Sequence, residues 1–256
     1  MSRVRRGGFS LIELAITLVI IAVLAAGLLV PLVNQIASRK TSVTDKVLQD
    51  VKDALIGYAS GNGRLPCPAT DTSNGLESFA PGGSAANGNC TSFYGFVPAV
   101  TLSVNPVDDQ GYAIDGWGSA QNRVRYAVSN RTINGVANPF TSTGGMRNAT
   151  IGSLAGATLF YVCASGAGVL AGTNCGTALT LTSTAPVVVW SVGANAADGG
   201  ASMDEAQNPN PNGGSADVLF VSHSISDSTG SVFDDVVTWI GVSTLISKMI
   251  TAGQLP

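Results

Sequence analysis

The pattern of apolar and polar positions changes character three times along the chain. From Phe9 to Val33, in FSLIELAITLVIIAVLAAGLLVPLV, the only polar side chains are Ser10, Glu13 and Thr17, and Leu14 to Val30 carries no charge. At a rise of ~1.5 Å per residue, such a helix is roughly 35 Å long, enough to cross a bilayer. Residues 34–63 then read as amphipathic. Val43, Val47, Val51 and Leu55 recur every fourth residue, Leu48, Ala54 and Tyr58 fill the same face, and charged side chains lie around the remainder. Gly57, Gly61 and Gly63 are expected to end this segment. The two halves together predict one helix of about fifty residues. Pro31 removes one backbone hydrogen bond and bends the rod there.

Beyond residue 64 the pattern becomes that of strands. Leu65 to Pro106 is broken by Gly, Asn, Ser and Pro and reads as a loop-rich insert. Short apolar runs follow at Val124–Val128, Thr158–Cys163, Val187–Val192 and Val218–Ser222, separated by Gly/Asn/Ser stretches. They predict an antiparallel sheet with long connections. Asn195–Ser215 is too polar for a regular element. At the C-terminus, Phe233, Val236, Val237, Ile240 and Met249 fit one helical face, but a short strand to Ile240 and a helix from Ser243 fit better. The fold class expected is therefore α+β, with a long N-terminal helix packed on an antiparallel sheet. Four stretches make up the chain: a leader at 1–8, an apolar helix at 9–33, an amphipathic helix at 34–63 and a β-rich domain at 64–256.

Composition narrows the class. Only 11% of residues are charged, and removing the leader's three arginines leaves 10 of the 13 basic residues against 16 acidic ones. No basic stripe remains to favour nucleic acid as a partner. The four cysteines, Cys67, Cys90, Cys163 and Cys175, all follow the apolar helix. Three pairings are open, and the local one joins Cys67 to Cys90 and Cys163 to Cys175. Each bond would stabilise by ~3 kcal/mol in the chain-entropy model, which suits a loop-rich domain in an oxidising compartment. The chain has no CxxC pair and one histidine, His223, so a thiolate metal site is a poor reading. Catalytic constellations are equally thin. His223 has no cysteine or acid at motif spacing, Asp234-Asp235 reads as a capping or turn pair, and Gly166-Ala167-Gly168 has no βαβ context. The chain does not read as an enzyme.

The most specific signal is the entrance: a basic leader, MSRVRRGG, then the apolar run with a single carboxylate in its first turn. A lone acid there is costly in lipid unless it meets a partner. An ordinary secretory signal would be cut after the apolar core, near Ala25-Ala26-Gly27. Glu13 and the helical pattern continuing past Pro31 argue against that. The entrance resembles the signal of type IV prepilins and type II secretion pseudopilins. The resemblance implies cleavage by a prepilin peptidase between Gly8 and Phe9 and N-methylation of Phe9. It also implies assembly in which Glu13 pairs with the amino group of Phe9 on a neighbouring subunit. The implied fold is the lollipop of pilins, with residues 9–33 as the transmembrane and filament-core helix. The implied location is the bacterial inner membrane as a single-pass protein with a periplasmic domain, then the filament. The leader would stay in the cytoplasm by the positive-inside rule. Partners would be other pilin or pseudopilin subunits and the inner-membrane assembly platform.

Two further segments carry weaker likenesses. SVGANAADGGASMDEAQNPNPNGGSADVLF is similar to the region between the last strands of the major pseudopilin, where an acidic loop binds calcium. On that likeness Asp198, Asp204, Glu205 and Asp217 would supply oxygen ligands, although the spacing is not that of an EF-hand and a solvated polar loop explains them equally. No cofactor is otherwise expected. DGWGSAQNRVRYAVS resembles a strand-turn-strand segment of pseudopilins and places Trp117 in the core, with Gly116 and Gly118 shaping the turn. A low-copy minor subunit is the expected role at this length. A membrane-anchored binding or adhesion protein that never polymerises is the alternative.

Overall fold

The computed structural model describes residues 10–170, 172–196, 202–208, 218–228 and 231–256; for residues 25–34, 227, 228 and 231 it describes the backbone alone. Contacts divide the chain into two compact units, Met1–Lys40 and Thr41–Pro256. Helix α1, Leu11–Asn62, runs through the boundary and continues across Pro31.

In the first unit, α1 opens with the sequence Ser10-Leu11-Ile12-Glu13. The Ser10 carbonyl accepts from the backbone N–H of Glu13 and Leu14, and the Ser10 N–H donates to Glu13 Oε2 at 3.4 Å. This is one arm of a capping box, in which the third helical residue reaches back to satisfy a donor at the helix entrance. From Leu11 to Leu24 the apolar side chains are exposed all round. Among the described residues no helix is long and apolar enough to cross a membrane. The expected span at 9–33 includes Phe9 and the side chains of residues 25–33, which lie outside the described residues.

In the second unit, the C-terminal part of α1 buries Thr44, Val47, Leu48, Val51, Leu55 and Ala59. Val43, expected on this face, is 46% exposed. The reason is geometric: each four-residue step overshoots a turn by about 40°, so a strict i+4 series drifts round the helix. Gly57 and Gly61 do not end the helix. It ends at Gly63, whose φ of +69° is the left-handed conformation that closes a helix by returning its N–H, here to the Ala59 carbonyl at 2.9 Å.

The buried face of α1 packs on a four-stranded antiparallel sheet of order β1-β2-β5-β9, formed by β1 (Tyr94–Phe96), β2 (Arg125–Val128), β5 (Val187–Ser191) and β9 (Val236–Ile240). Tyr126, Val128, Val187, Val189 and Ile240 share a core with α1 and with helix α5, Val242–Thr251. The alternate residues of the same strands, Ala127, Val188 and Trp190, face the other way. They meet Phe160 and Val162 of β3 (Phe160–Cys163), Ala185 of β4 (Thr180–Ala185) and Phe220 of β6 (Leu219–Val221). These three strands form a second sheet, order β4-β3-β6. The unit is therefore layered helix, sheet, sheet, with β5 buried at every position.

The expected strands at residues 124–128, 158–163, 187–192 and 218–222 are all present within a residue or two, and the C-terminus is a strand followed by a helix. The second sheet departs from the antiparallel expectation, because β3 and β6 pair in parallel. The supposed loop-rich insert contains β1 and the short helix α2, Ala99–Leu102. Also unanticipated are α3 (Gly145–Ala149), α4 (Ile151–Ala155), β4 and the hairpin β7 (Ser226–Ser228) with β8 (Ser231–Phe233). Trp117 is half-buried and belongs to none of the core clusters; the fully buried tryptophan is Trp190. Disulfides join Cys67 to Cys90 and Cys163 to Cys175.

Candidate functional site

At one end of the four-stranded sheet, the adjacent carboxylates of Asp234 and Asp235 meet a third, Glu205, from a distant part of the chain. β5 runs out through Gly193, Ala194 and Asn195; the corner between β8 and β9 carries Asp234 and Asp235; and a short segment, Ser202–Asn208, crosses the same end with a 3-10 turn at Glu205–Gln207. Glu205, Asp234 and Asp235 each present a carboxylate oxygen, all within 4.8 Å of one another. They are 3%, 9% and 4% exposed, too little for solvent to screen their mutual repulsion.

Each acid is held by a local device. Ser202 and Glu205 bond reciprocally: the Glu205 N–H donates to Ser202 Oγ at 3.1 Å, and the Ser202 N–H donates to Glu205 Oε2 at 3.4 Å. Glu205 Oε1 accepts from Asn195 Nδ2 at 3.0 Å and from the Asp234 N–H at 3.1 Å. Asp234 Oδ2 accepts from the N–H groups of Ala194 (2.9 Å) and Asn195 (3.2 Å). Asp235 Oδ2 accepts from Asn208 Nδ2 at 2.6 Å, and Asn208 Oδ1 in turn accepts from the Val221 N–H of β6 at 2.8 Å. Two buried oxygens are left without a donor, Asp234 Oδ1 and Asn195 Oδ1.

Gly193 makes room for this packing. Its φ is +64°, and a Cβ there would lie 2.2 Å from Asp234 Oδ1. The glycine is fixed by a neighbouring buried network: Asp115 Oδ2 accepts from Ser191 Oγ and from Asn122 Nδ2, and Asn122 Nδ2 also donates to the Gly193 carbonyl at 2.5 Å.

The electrostatics follow from burial. Desolvation, with the neighbouring charge of Glu205 and against two backbone donors, pushes the Asp234 carboxyl up to about 6. Desolvation also pushes Asp235 up to about 7, with Glu205 and Asp234 adding to the shift while the Asn208 hydrogen bond and the Arg125 charge oppose it. Arg125 is lowered to about 10 by burial, partly offset by Asp235. Among the described residues Arg125 forms no ion pair within 4.0 Å of an acid, and its Nε has no partner. It acts on Asp235 only through space.

Of the four loop acids singled out in the sequence, two lie among the described residues, Asp204 and Glu205, and of these Glu205 is in this cluster. Asp204 turns away: its Oδ1 accepts from the Gly166 N–H at 2.5 Å and Ser165 Oγ at 3.2 Å, and its Oδ2 faces His223 Nε2 at 3.1 Å. Asp198 and Asp217 lie outside the described residues. His223 stacks on Phe233 with ring centroids 3.9 Å apart, and its Nδ1 faces the Ser224 carbonyl at 2.8 Å, a bracing arrangement. Sequence reasoning passed over Asp234 and Asp235 as a turn. The Ser202-Met203-Asp204-Glu205 spacing was the local signal that could have fixed Glu205 in place, but nothing local links it to residues 30 positions away.

The entrance of the chain carries the second candidate site. Gly8 and Phe9 lie outside the described residues, while Glu13 stands exposed on the first turn of α1. No curated protein and no solved structure gives a significant match to the chain. Residues 3–29 match the family model described as the prokaryotic N-terminal methylation motif. The motif implies processing by prepilin peptidase. By that motif the chain carries at its N-terminus the prepilin-type signal of type IV pilins and pseudopilins.

Proposed function

We propose that the chain is a subunit, of low copy number, of a type IV pilus or type II secretion pseudopilus. Residues 9–33 anchor the precursor in the inner membrane; the peptidase then cuts between Gly8 and Phe9 and methylates Phe9. The observation that carries this reading is the coincidence of the matched motif at residues 3–29 with a helix whose apolar side chains, from Leu11 to Leu24, have no partner on any side. Such a surface is stable only in lipid or against other helices. Glu13 bears on the assembly step. Among the described residues its carboxylate is held only by a long bond from the Ser10 N–H. The free amino group of a neighbouring Phe9 is a stronger partner, and burying both charges as a pair removes the cost of an acid in an apolar core.

Two measurements test this. Mass spectrometry of the mature chain should find a methylated N-terminus at Phe9; a terminus near Gly27 or an uncut leader overturns the reading. Glu13→Val should insert in the membrane as well as wild type and be depleted from sheared filaments by about tenfold or more, as expected for loss of a buried pair partner. Filament incorporation equal to wild type would end the pairing account. Absence of the mature chain from any sheared filament would favour an anchored binding protein instead.

A further inference from the structure

We propose that the free edge of β9 is a strand-addition site, which takes an extended, uncharged segment of a partner protein as a further strand of the central sheet. The proposal rests on the sheet itself and not on the assembly role. The direction of each backbone group follows from the register. At the opposite edge Phe96 exchanges two hydrogen bonds with Ala69, at 2.8 and 2.9 Å, so Gly95 turns its own groups toward β2. Opposed residues of an antiparallel pair either face each other or both face away, and the choice alternates along the strand. The alternation passes through the pairs Gly95–Tyr126, Ala127–Val188 and Val189–Thr238 to β9. Val236, Thr238 and Ile240 therefore face β5, while Val237 and Trp239 turn their N–H and C=O groups outward. The Ser129 N–H, which donates to the Pro186 carbonyl at 2.9 Å, has the phase this requires. Among the described residues no bond reaches the outward groups of Val237 and Trp239.

The other three edges of the two larger sheets are answered or distorted. On β1, Ala69 covers Phe96, and Ser92 Oγ accepts from the Tyr94 N–H at 3.1 Å and donates to the Tyr94 carbonyl. On β6, the Val221 N–H donates to Asn208 Oδ1 at 2.8 Å. On β4, two register shifts break the ladder, and Thr182 Oγ1 accepts from the Thr184 N–H at 3.2 Å. Bulges and covering groups close an edge to further strands, as charges and prolines do. β9 has neither of the last two, since Val236–Ser247 carries no charge and no proline.

The occupant follows from what the edge offers. Two outward N–H and C=O pairs, two residues apart, are matched by another extended backbone. The side chains of Val236, Val237, Thr238 and Trp239 are each half-buried, so both faces of the strand leave a ledge beside the edge. Val237 and Trp239 border the core between the sheets, and Val236 borders the core under the helices. An added strand sets apolar or hydroxyl side chains against these ledges and finds no charge to pair. A second copy could bring only its own β9, because its other edges are answered. Two folded copies meeting only along a strand of five residues would bury far less than the roughly 1,600 Å² of a stable interface. Addition of a flexible segment is the mode in which a short open edge is used.

The experiment uses the full-length mature protein in detergent micelles and follows amide hydrogen exchange residue by residue by NMR. The probe is a capped, uncharged peptide, acetyl-TVTVT-amide, with a fully N-methylated copy as control. In the free protein the Val237 and Trp239 amides should exchange at least about tenfold faster than those of Thr238 and Ile240. Peptide at millimolar concentration should slow both by about tenfold or more, and the N-methylated copy should not. Val237→Pro removes an outward donor without touching the ladder to β5, so it should keep the fold and lose the peptide's protection of Trp239. Should that variant fail to fold, wild type with the two peptides decides alone. Amides of Val237 and Trp239 that are already slow in dilute protein overturn the proposal, as does equal protection by both peptides or none by either. Protection that grows with protein concentration alone assigns the edge to a second copy and overturns the partner assignment.

Discussion

Gly193 shows how much one residue decides at the end of the sheet. It combines a left-handed backbone with a Cα that faces Asp234, so its missing side chain is a requirement twice over. Gly193→Ala should lower stability by about 2–4 kcal/mol, the sum expected for an L residue at positive φ and a displaced buried carboxylate. A urea denaturation midpoint would measure this, and a change below about 0.5 kcal/mol would mean that the corner repacks freely. The same scale shows where sequence reading stops. Asp234-Asp235 is an ordinary turn pair until Glu205, 29 residues earlier, and Asn195, 39 residues earlier, are folded against it. No spacing rule links such positions, because their meeting depends on where two loops leave a sheet. The signal at Gly8, Phe9 and Glu13, by contrast, is contiguous and legible.

At the scale of elements, long periodic segments were legible and short ones were not. The amphipathic part of α1 announces itself through Val47, Val51 and Leu55, and the runs in β2, β3, β5 and β6 are apolar enough to stand out. β4, with the sequence TLTSTA, is missed because it is an edge strand: most of its side chains are at least partly exposed, so burial imposes no apolar alternation on it. β1 is three residues long and gains its strand character only from pairing with β2. The helix offers a direct comparison. Val51→Asp places an unpaired charge at a position with no solvent exposure and should cost several kcal/mol, whereas Val43→Asp, on the exposed side, should stay within about 0.5 kcal/mol. Circular dichroism melts of the two variants check the assignment; equal effects would mean that the face has been misplaced.

For the whole molecule, pH is the variable that gathers these local features. Asp234 and Asp235 titrate near 6 and 7 in the folded state, against 3.8 for an unperturbed Asp, so the folded state holds protons that the unfolded chain releases. Their stabilising contribution is present in full below the unfolded value and is lost as pH rises through 6 and 7. Stability should therefore fall between pH 5 and pH 8 by on the order of 4 kcal/mol, and Asp235→Asn should flatten that slope. Thermal melts across this range give the sign directly. A stability that rises with pH over the same interval would mean that other groups dominate.

β5 belongs to both hydrophobic cores at once. Val187 and Val189 point toward the helices, while Val188 and Trp190 point toward the second sheet. Neither core can loosen its grip on the strand without withdrawing a backbone ladder from the other, since β2 and β9 flank it through residues 187–191. The two sheets and the helical layer are thereby made thermodynamically interdependent, so that the second unit melts as a single cooperative block rather than shedding its outer sheet first.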